Sequence, residues 1–237
     1  MSQKYPGGFI TKSPVAPTSS AASGMWTIDQ AMQLQKQGNW PSPPLVIGQA
    51  YAGGFYAGQI GVSSVATHNL VVGPVASAQN SSKQWKTSDT ATSGTSSVID
   101  GPANSAAMNN ASHPAAQFCE GLTIGGYSDW YMPAQNELEV CYYNLKPNTN
   151  LNSTSWGTNT NAVPSRGSNY TTGDPAKTSA ADFQTGGAEA YGANFYWCST
   201  EVSASYAWLQ LFNNGFQGNF YAKTNSNRVR AVRRVAI

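Results

Sequence analysis

Apolar positions change their spacing several times along this chain, and each change predicts a different kind of element. Between Leu45 and Val75 the residues Val46, Ile47, Tyr51, Phe55, Tyr56, Ile60, Val62, Val65, Leu70, Val71 and Val72 fall in short groups punctuated by Gly53-Gly54, Gly58, Gly61 and Gly73, which predicts strands and tight turns. Residues 77–97, dominated by Ser and Thr, read as a solvated excursion around Trp85. Helical signals follow from Gly101 to Leu145. Pro102 and Pro114 suit the first turns of two short helices, and after Pro133 the set Leu138, Cys141, Tyr142, Leu145 has the i, i+3, i+4, i+7 spacing of a buried stripe. Residues 147–194 are polar and interrupted by Gly and Pro, which predicts long loops. Strand signals return in Phe195–Glu201, Ala207–Phe212 and Arg228–Val235, with a tight turn at Asn213-Asn214-Gly215. Trp197, Trp208, Val229 and Val232 are expected to fill a small core there.

The first 44 residues form a separate pattern. Pro14, Pro17, Pro41, Pro43 and Pro44 bracket one short helical signal, in which Thr27 and Gln30 fit a capping box, Ile28, Ala31 and Met32 make a small apolar stripe and Gly38 ends the run. Such an arm cannot bury a core of its own, so Trp26, Ile28, Met32 and Trp40 are candidates for packing against another protein. The expected organisation is an extended attachment arm over 1–44, a β-rich segment over 45–97 and an α+β domain over 98–237.

Composition narrows the chemistry. Only 10% of the residues are charged and the net charge is +2, too little for the phosphate neutralisation that nucleic-acid binding requires. There is no apolar run of membrane length, so membrane insertion is not expected. Cys119, Cys141 and Cys198 lack metal-ligand spacing, and His68 and His113 lie near none of them in sequence, so structural thiols are expected and no metal. Glu137 and Glu139 are paired carboxylates on one predicted helix, but positions two apart face different ways, which favours solvated surface or a buried structural bond over acid–base catalysis. Asp174, Asp182 and Glu189 do not have an EF-hand spacing. Gly48-Gln49-Ala50-Tyr51-Ala52-Gly53 lacks the helix and distal acid of a dinucleotide site. No cofactor and no catalytic residue are expected.

Several ordered motifs carry a family resemblance. Gly126-Tyr127-Ser128-Asp129-Trp130-Tyr131-Met132-Pro133-Ala134-Gln135-Asn136-Glu137-Leu138, then Tyr196-Trp197-Cys198-Ser199-Thr200-Glu201, Ala207-Trp208 and Arg228-Val229-Arg230-Ala231-Val232-Arg233 resemble the C-terminal domain family first described in a Legionella collagen-like protein. The resemblance covers roughly 98–237 and implies a C-type-lectin-like, formylglycine-generating-enzyme-like fold with short helices, a small antiparallel sheet and long loops. It does not extend to the chemistry of those relatives. Cys198 stands alone where the oxidase needs a cysteine pair, and the calcium-lectin triplets Glu-Pro-Asn, Gln-Pro-Asp and Trp-Asn-Asp do not occur. The arm, with Gly7-Gly8-Phe9-Ile10, Gly24-Met25-Trp26-Thr27-Ile28 and Gly38-Asn39-Trp40-Pro41, is similar to the N-terminal stretch of tailed-phage virion proteins.

These readings converge on a non-enzymatic virion protein, made in the host cytoplasm and released on lysis. Its arm is expected to bind other virion proteins, and its lectin-like domain to face a host cell-surface glycan or protein, as a tail-fibre or baseplate adhesin. A capsid or tail decoration protein without receptor binding is the alternative. Analogy with phage fibres implies a homo-oligomer, possibly a trimer. The receptor-facing candidates are Asn213, Asn214, Phe216, Gln217, Asn219, Phe220, Tyr221, Lys223, Asn225 and Asn227, helped by the 147–194 loops, because aromatic rings offer contact area at low entropy cost while amides hydrogen-bond in several directions.

Overall fold

The computed structural model describes residues 16–22, 24–37 and 44–237, and the chain divides into two units, 1–45 and 46–237. In the first unit, helix α1 spans Ile28–Lys36 and starts with the expected capping box: Gln30 N donates to Thr27 Oγ1 at 3.2 Å, and Thr27 N donates to Gln30 Oε1 at 2.9 Å. No residue of α1 is buried. Gly38 and Trp40 lie outside the described residues.

The second unit is α+β, with two five-stranded sheets. The first sheet runs β1 (Ala50–Tyr51), β2 (Gly54–Val62), β3 (Val65–Val72) and β10 (Val232–Ala236), and the short β5 (Ala162–Val163) pairs with β2. Helix α2 (Val75–Ala78) leads into the second sheet, ordered β4 (Gln79–Gln84), β9 (Ser226–Arg230), β6 (Phe195–Glu201), β7 (Tyr206–Leu211), β8 (Gln217–Ala222). All its pairings are antiparallel except β6 with β9, which run parallel at Tyr196 and Arg228. The sheet expected to be small is thus one of two, and the segment 45–97 does not stand apart from 98–237. β3 pairs with β10 and β4 with β9, so both sheets need both halves of the sequence.

Three helices complete the unit, and all start as their sequences predict. α3 (Gly101–Ala107) carries Pro102 in its first turn and is capped by Asp100, α4 (Pro114–Glu120) opens on Pro114, and α5 (Gln135–Leu145) follows Pro133. The stripe Leu138, Cys141, Tyr142 and Leu145 is fully buried. It joins Ala57, Leu70 and Val72 of the first sheet and Tyr196, Cys198 and Phe212 around the second in one core. On the other side of the second sheet Trp197, Leu209 and Val229 pack with Trp85, Trp130, Met132, Met108 at the end of α3 and Ala115, Ala116 and Cys119 of α4.

Two expectations fail. Residues 77–97 are not a solvated excursion: β4 lies inside them, and Trp85 is fully buried with its Nε1 donating to the Cys198 carbonyl at 2.8 Å. An edge strand needs few apolar side chains, so one Trp carries the burial of a polar run. Trp208, expected in the core, is only half-buried, whereas Trp197, Val229 and Val232 are buried as expected.

The carboxylates of α5 do point apart, but into the protein. Glu137 accepts from Ala134 N at 2.8 Å and Arg234 Nε at 2.6 Å, and is also bonded by the Tyr131 hydroxyl. Glu139 pairs with Arg166 and accepts from the Tyr170 hydroxyl at 2.6 Å and Asn159 Nδ2 at 2.5 Å. Glu189, weighed above as a loop ligand, pairs with Arg230 instead, at 2.7 Å. Loops 147–194 have little regular structure, as expected, yet they are fastened from within. The buried Lys146 ammonium donates to Asn150 O and Asn152 Oδ1, both at 2.6 Å, and to Pro175 O at 3.2 Å.

Candidate recognition surface

The β7–β8 hairpin and the strand that follows it place the receptor-facing candidates. Five residues, Phe212–Phe216, connect the two strands, and Gly215 turns the chain with a positive φ of 78°. Leu211 N donates to Phe216 O and Gly215 N to Leu211 O, both at 2.8 Å, so the turn closes on its own backbone. Asn213 and Asn214 at its tip are half-buried, because they also hold the neighbouring loop. Asn150 Nδ2 donates to Asn213 Oδ1 at 2.5 Å, and Ser153 N donates to Asn214 O at 2.8 Å. The hairpin and the 147–194 loops therefore form one continuous surface.

Aromatic rings run along this surface. Trp208 meets Trp156 edge-on at 6.0 Å, Trp156 meets Phe216 at 5.8 Å, Phe216 meets Phe220 at 6.3 Å, Phe220 stacks on Tyr221 at 5.1 Å, and Tyr221 meets Phe195 at 4.7 Å. Every ring in the row is at least partly exposed, and Phe220 is 60% exposed. Asn219 beside it and Asn225 in the β8–β9 turn are exposed as well. β8 is the last strand of its sheet, so its outer backbone groups are also presented. Trp156 and Phe195 were not among the candidates. The signal available was Trp156 itself, an aromatic isolated in a polar loop.

Two candidates are corrected. Gln217 is buried, where its Nε2 donates to Gln210 Oε1 at 3.0 Å and its Oε1 accepts from Gln135 Nε2 at 3.2 Å. Lys223 is fully buried, ion-paired with Glu201, donating to Thr90 O at 3.0 Å and lying 4.7 Å from the Trp85 ring centre. Both side chains brace the scaffold behind the surface. In the arm, Ile28 and Met32 are exposed as expected, while Trp26 is half-buried.

Lys223 belongs to a polar knot that fixes the loop 88–95. Lys86 Nζ donates to Thr90 O, Ala91 O and Thr92 Oγ1, Thr92 N donates to Glu201 Oε1 at 2.8 Å, and the buried His113 ring touches Thr92 Oγ1 at 2.9 Å and Asn110 Oδ1 at 2.8 Å. Burial, with Lys86 and Lys223 nearby and only partly offset by Glu201, pushes the His113 pKa from 6.5 down to about 4. The unfolded chain therefore binds a proton that the folded chain refuses. Stability is complete above 6.5 and is lost as the pH falls toward 4, by on the order of 2 kcal/mol. Urea midpoints measured across that window should fall with acidification, and His113→Gln should flatten the slope.

Nothing in the surface resembles a nucleophile. The three thiols are free and buried, and burial raises the pKa of each, that of Cys141 to about 12. Among the described residues, no group of three or more His, Cys, Asp or Glu side chains could hold a metal ion. Among the described residues no helix is long and apolar enough to cross a membrane.

No curated protein matches the chain. A crystal structure of a fimbrial protein from Bacteroides ovatus is similar at 15% identity with a TM-score of 0.42, over 78% of this chain and 44% of that one, a likeness too distant to bear on fold or function. This chain thus spans less than half the length of that protein. The Lcl C-terminal domain model matches residues 75–233, from α2 through the whole second sheet to the start of β10, with β5 but not β1–β3 of the first sheet, and includes the hairpin and the aromatic row. On that match the chain belongs to the Lcl C-terminal domain family.

Proposed function

We propose that this protein is a recognition module of a tailed-phage particle, a tail-fibre or baseplate adhesin whose arm attaches it and whose lectin-like body displays the β7–β8 surface to the host. The observation that carries the recognition role is the aromatic row from Trp208 to Phe195, with exposed Asn219 and Asn225 beside it. Rings supported from behind and amides free to rotate are what a binding surface needs, and buried Gln217 and Lys223 provide the support. Family membership supports the scaffold assignment, while the arm's similarity to phage virion proteins supports the particle. The exposed Ile28 and Met32 give the arm an apolar contact for another virion protein.

Phe220 is the cleanest probe, being the most exposed ring of the row. Particles carrying Phe220→Ala together with Asn219→Ala should adsorb to host cells at least about tenfold more weakly, the loss of one anchor of roughly 1.4 kcal/mol or more. The melting temperature of the purified variant should stay with the parent's. Unchanged adsorption would remove the recognition role from this surface and favour a decoration protein.

A further inference from the structure

Phe220 and Tyr221 are consecutive residues of one strand, yet their rings stack, 5.1 Å apart with their planes at 23°. A regular strand forbids this, because successive side chains point to opposite faces of the sheet. The register of β7 with β8 supplies the reason. Ala207 stands opposite Tyr221 and Leu209 opposite Gly218, so one residue of β7, Trp208, faces two of β8, Asn219 and Phe220. This is a β-bulge, with its extra residue on the strand at the free edge of the sheet.

The bulge sits where the aromatic row changes sides. Trp208 and Trp156 pack against the core that contains α5, whereas Tyr221 and Phe195 pack against the core on the other side of the second sheet. Phe216 and Phe220, 6.3 Å apart, bridge the two groups at the edge strand. Without the extra residue Phe220 would stand directly opposite Trp208 and share its face. Tyr221 would keep the face of Ala207, and the row would break between the two rings. Gly218 serves the same contact. A Cβ there would stand 2.7 Å from Tyr221 Cε2 and 2.8 Å from Tyr221 Cδ2, so the ring lies across a strand position that only glycine leaves free.

We infer that Gly218 and the extra residue Asn219 are positioning residues of the recognition surface: the bulge turns Phe220 onto Tyr221 and so joins two ring groups, one on each side of the sheet, into a single row. Both residues act through the rings, Asn219 by its place in the chain and Gly218 by the room it leaves. Bulges re-aim side chains in this way beside functional sites. The inference deepens the recognition role proposed above and rests on it for its biological setting, while its structural half is read on the purified chain.

The test compares the full chain with three variants: deletion of Asn219, Gly218→Ala and Asn219→Ala. NMR reads the ring-to-ring NOEs between Phe220 and Tyr221, urea denaturation reads the fold, and particles carrying each variant are assayed for host adsorption. Deletion joins the ladder on the two sides of the bulge, so that chain should fold with a urea midpoint close to the parent's and lose the NOEs. Gly218→Ala keeps the register and should lose them too, because the Tyr221 ring must move aside. Asn219→Ala keeps the residue count and should retain them, which separates spacing from the amide. Both ring-dispersing variants should adsorb at least about tenfold more weakly than Asn219→Ala, as for loss of an aromatic anchor. NOEs absent from the parent, or retained after the deletion, would overturn the role of the bulge. A deletion variant that no longer folds would overturn it as well, since the extra residue would then serve the sheet itself. So would a folded deletion variant that self-associates with its rings still stacked, which would make the bulge a guard of the free edge. The recognition role is read separately, from the particles carrying Phe220→Ala with Asn219→Ala. Lost adsorption there, with the deletion and Asn219→Ala variants adsorbing alike, would sink this inference alone. Intact adsorption there, with the NOEs lost on deletion, would sink that reading alone.

Discussion

Replacing Glu139 by Ala is expected to destabilise the body by about 3–5 kcal/mol, the usual cost of removing one partner of a buried ion pair. The carboxylate has no contact with water, and three groups converge on it from the 147–194 region: the Arg166 guanidinium, the Tyr170 hydroxyl and the Asn159 amide. Truncation would orphan all of them and leave a gap beside Tyr142 and Tyr170, whose rings stand 5.5 Å apart under the hairpin. Arg166 retains some access to solvent, so its charge can rehydrate in part. The double variant Glu139→Ala, Arg166→Ala should therefore lose less than the sum of the single losses. Urea denaturation of the four proteins measures this directly. A loss under about 1 kcal/mol in Glu139→Ala would show that the pair does not organise the loops.

Gly215→Ala should cost about 2–4 kcal/mol, from two sources. At a φ of 78° a side chain is strained wherever it points, by roughly 1–2 kcal/mol. The added methyl would also stand 2.4 Å from Tyr142 Cε1 and 2.8 Å from a Tyr170 ring carbon, and overpacking of this kind costs typically 1–3 kcal/mol. Both rings are buried against α5 and the core and have little room to move. The hairpin tip should shift, and with it the link between Asn213 and Asn150, so under the proposed role host adsorption should weaken along with stability. An Ala variant with the parent's urea midpoint would mean that the turn is looser than its packing indicates.

The same residues explain how much could be read from sequence. The stripe on α5 was legible because its period is local, as were the capping box at Thr27 and the Asn-Gly turn. Burial of Glu137 and Glu139 was not, since their partners come from far away; Arg234 lies 97 positions from Glu137 and Arg166 lies 27 from Glu139. Lys223 and Gln217 misled for a related reason. Along β8 and its turn, polar residues that face solvent alternate with polar residues that face other polar residues, and no pattern of hydrophobicity separates the two. What buries Lys223 is Glu201 and the carbonyl of Thr90, and what buries Gln217 is Gln210 and Gln135. The pairing of β3 with β10 joins the two ends of the body and has no local signal. The aromatic row was half legible, because Phe216, Phe220 and Tyr221 are close in sequence while Trp156 and Phe195 reach them only through the fold.

The recognition role makes one claim about place: residues 219–221 and 225 face away from the particle. An electron-microscopy reconstruction of the phage, with this chain fitted into density, measures that placement. The proposed role predicts the body at a fibre tip or on the baseplate, with Phe220 and Asn219 directed outward and Ile28 and Met32 against another virion protein. Density placing the body flat on the capsid, with the β7–β8 surface packed against the shell, would contradict it.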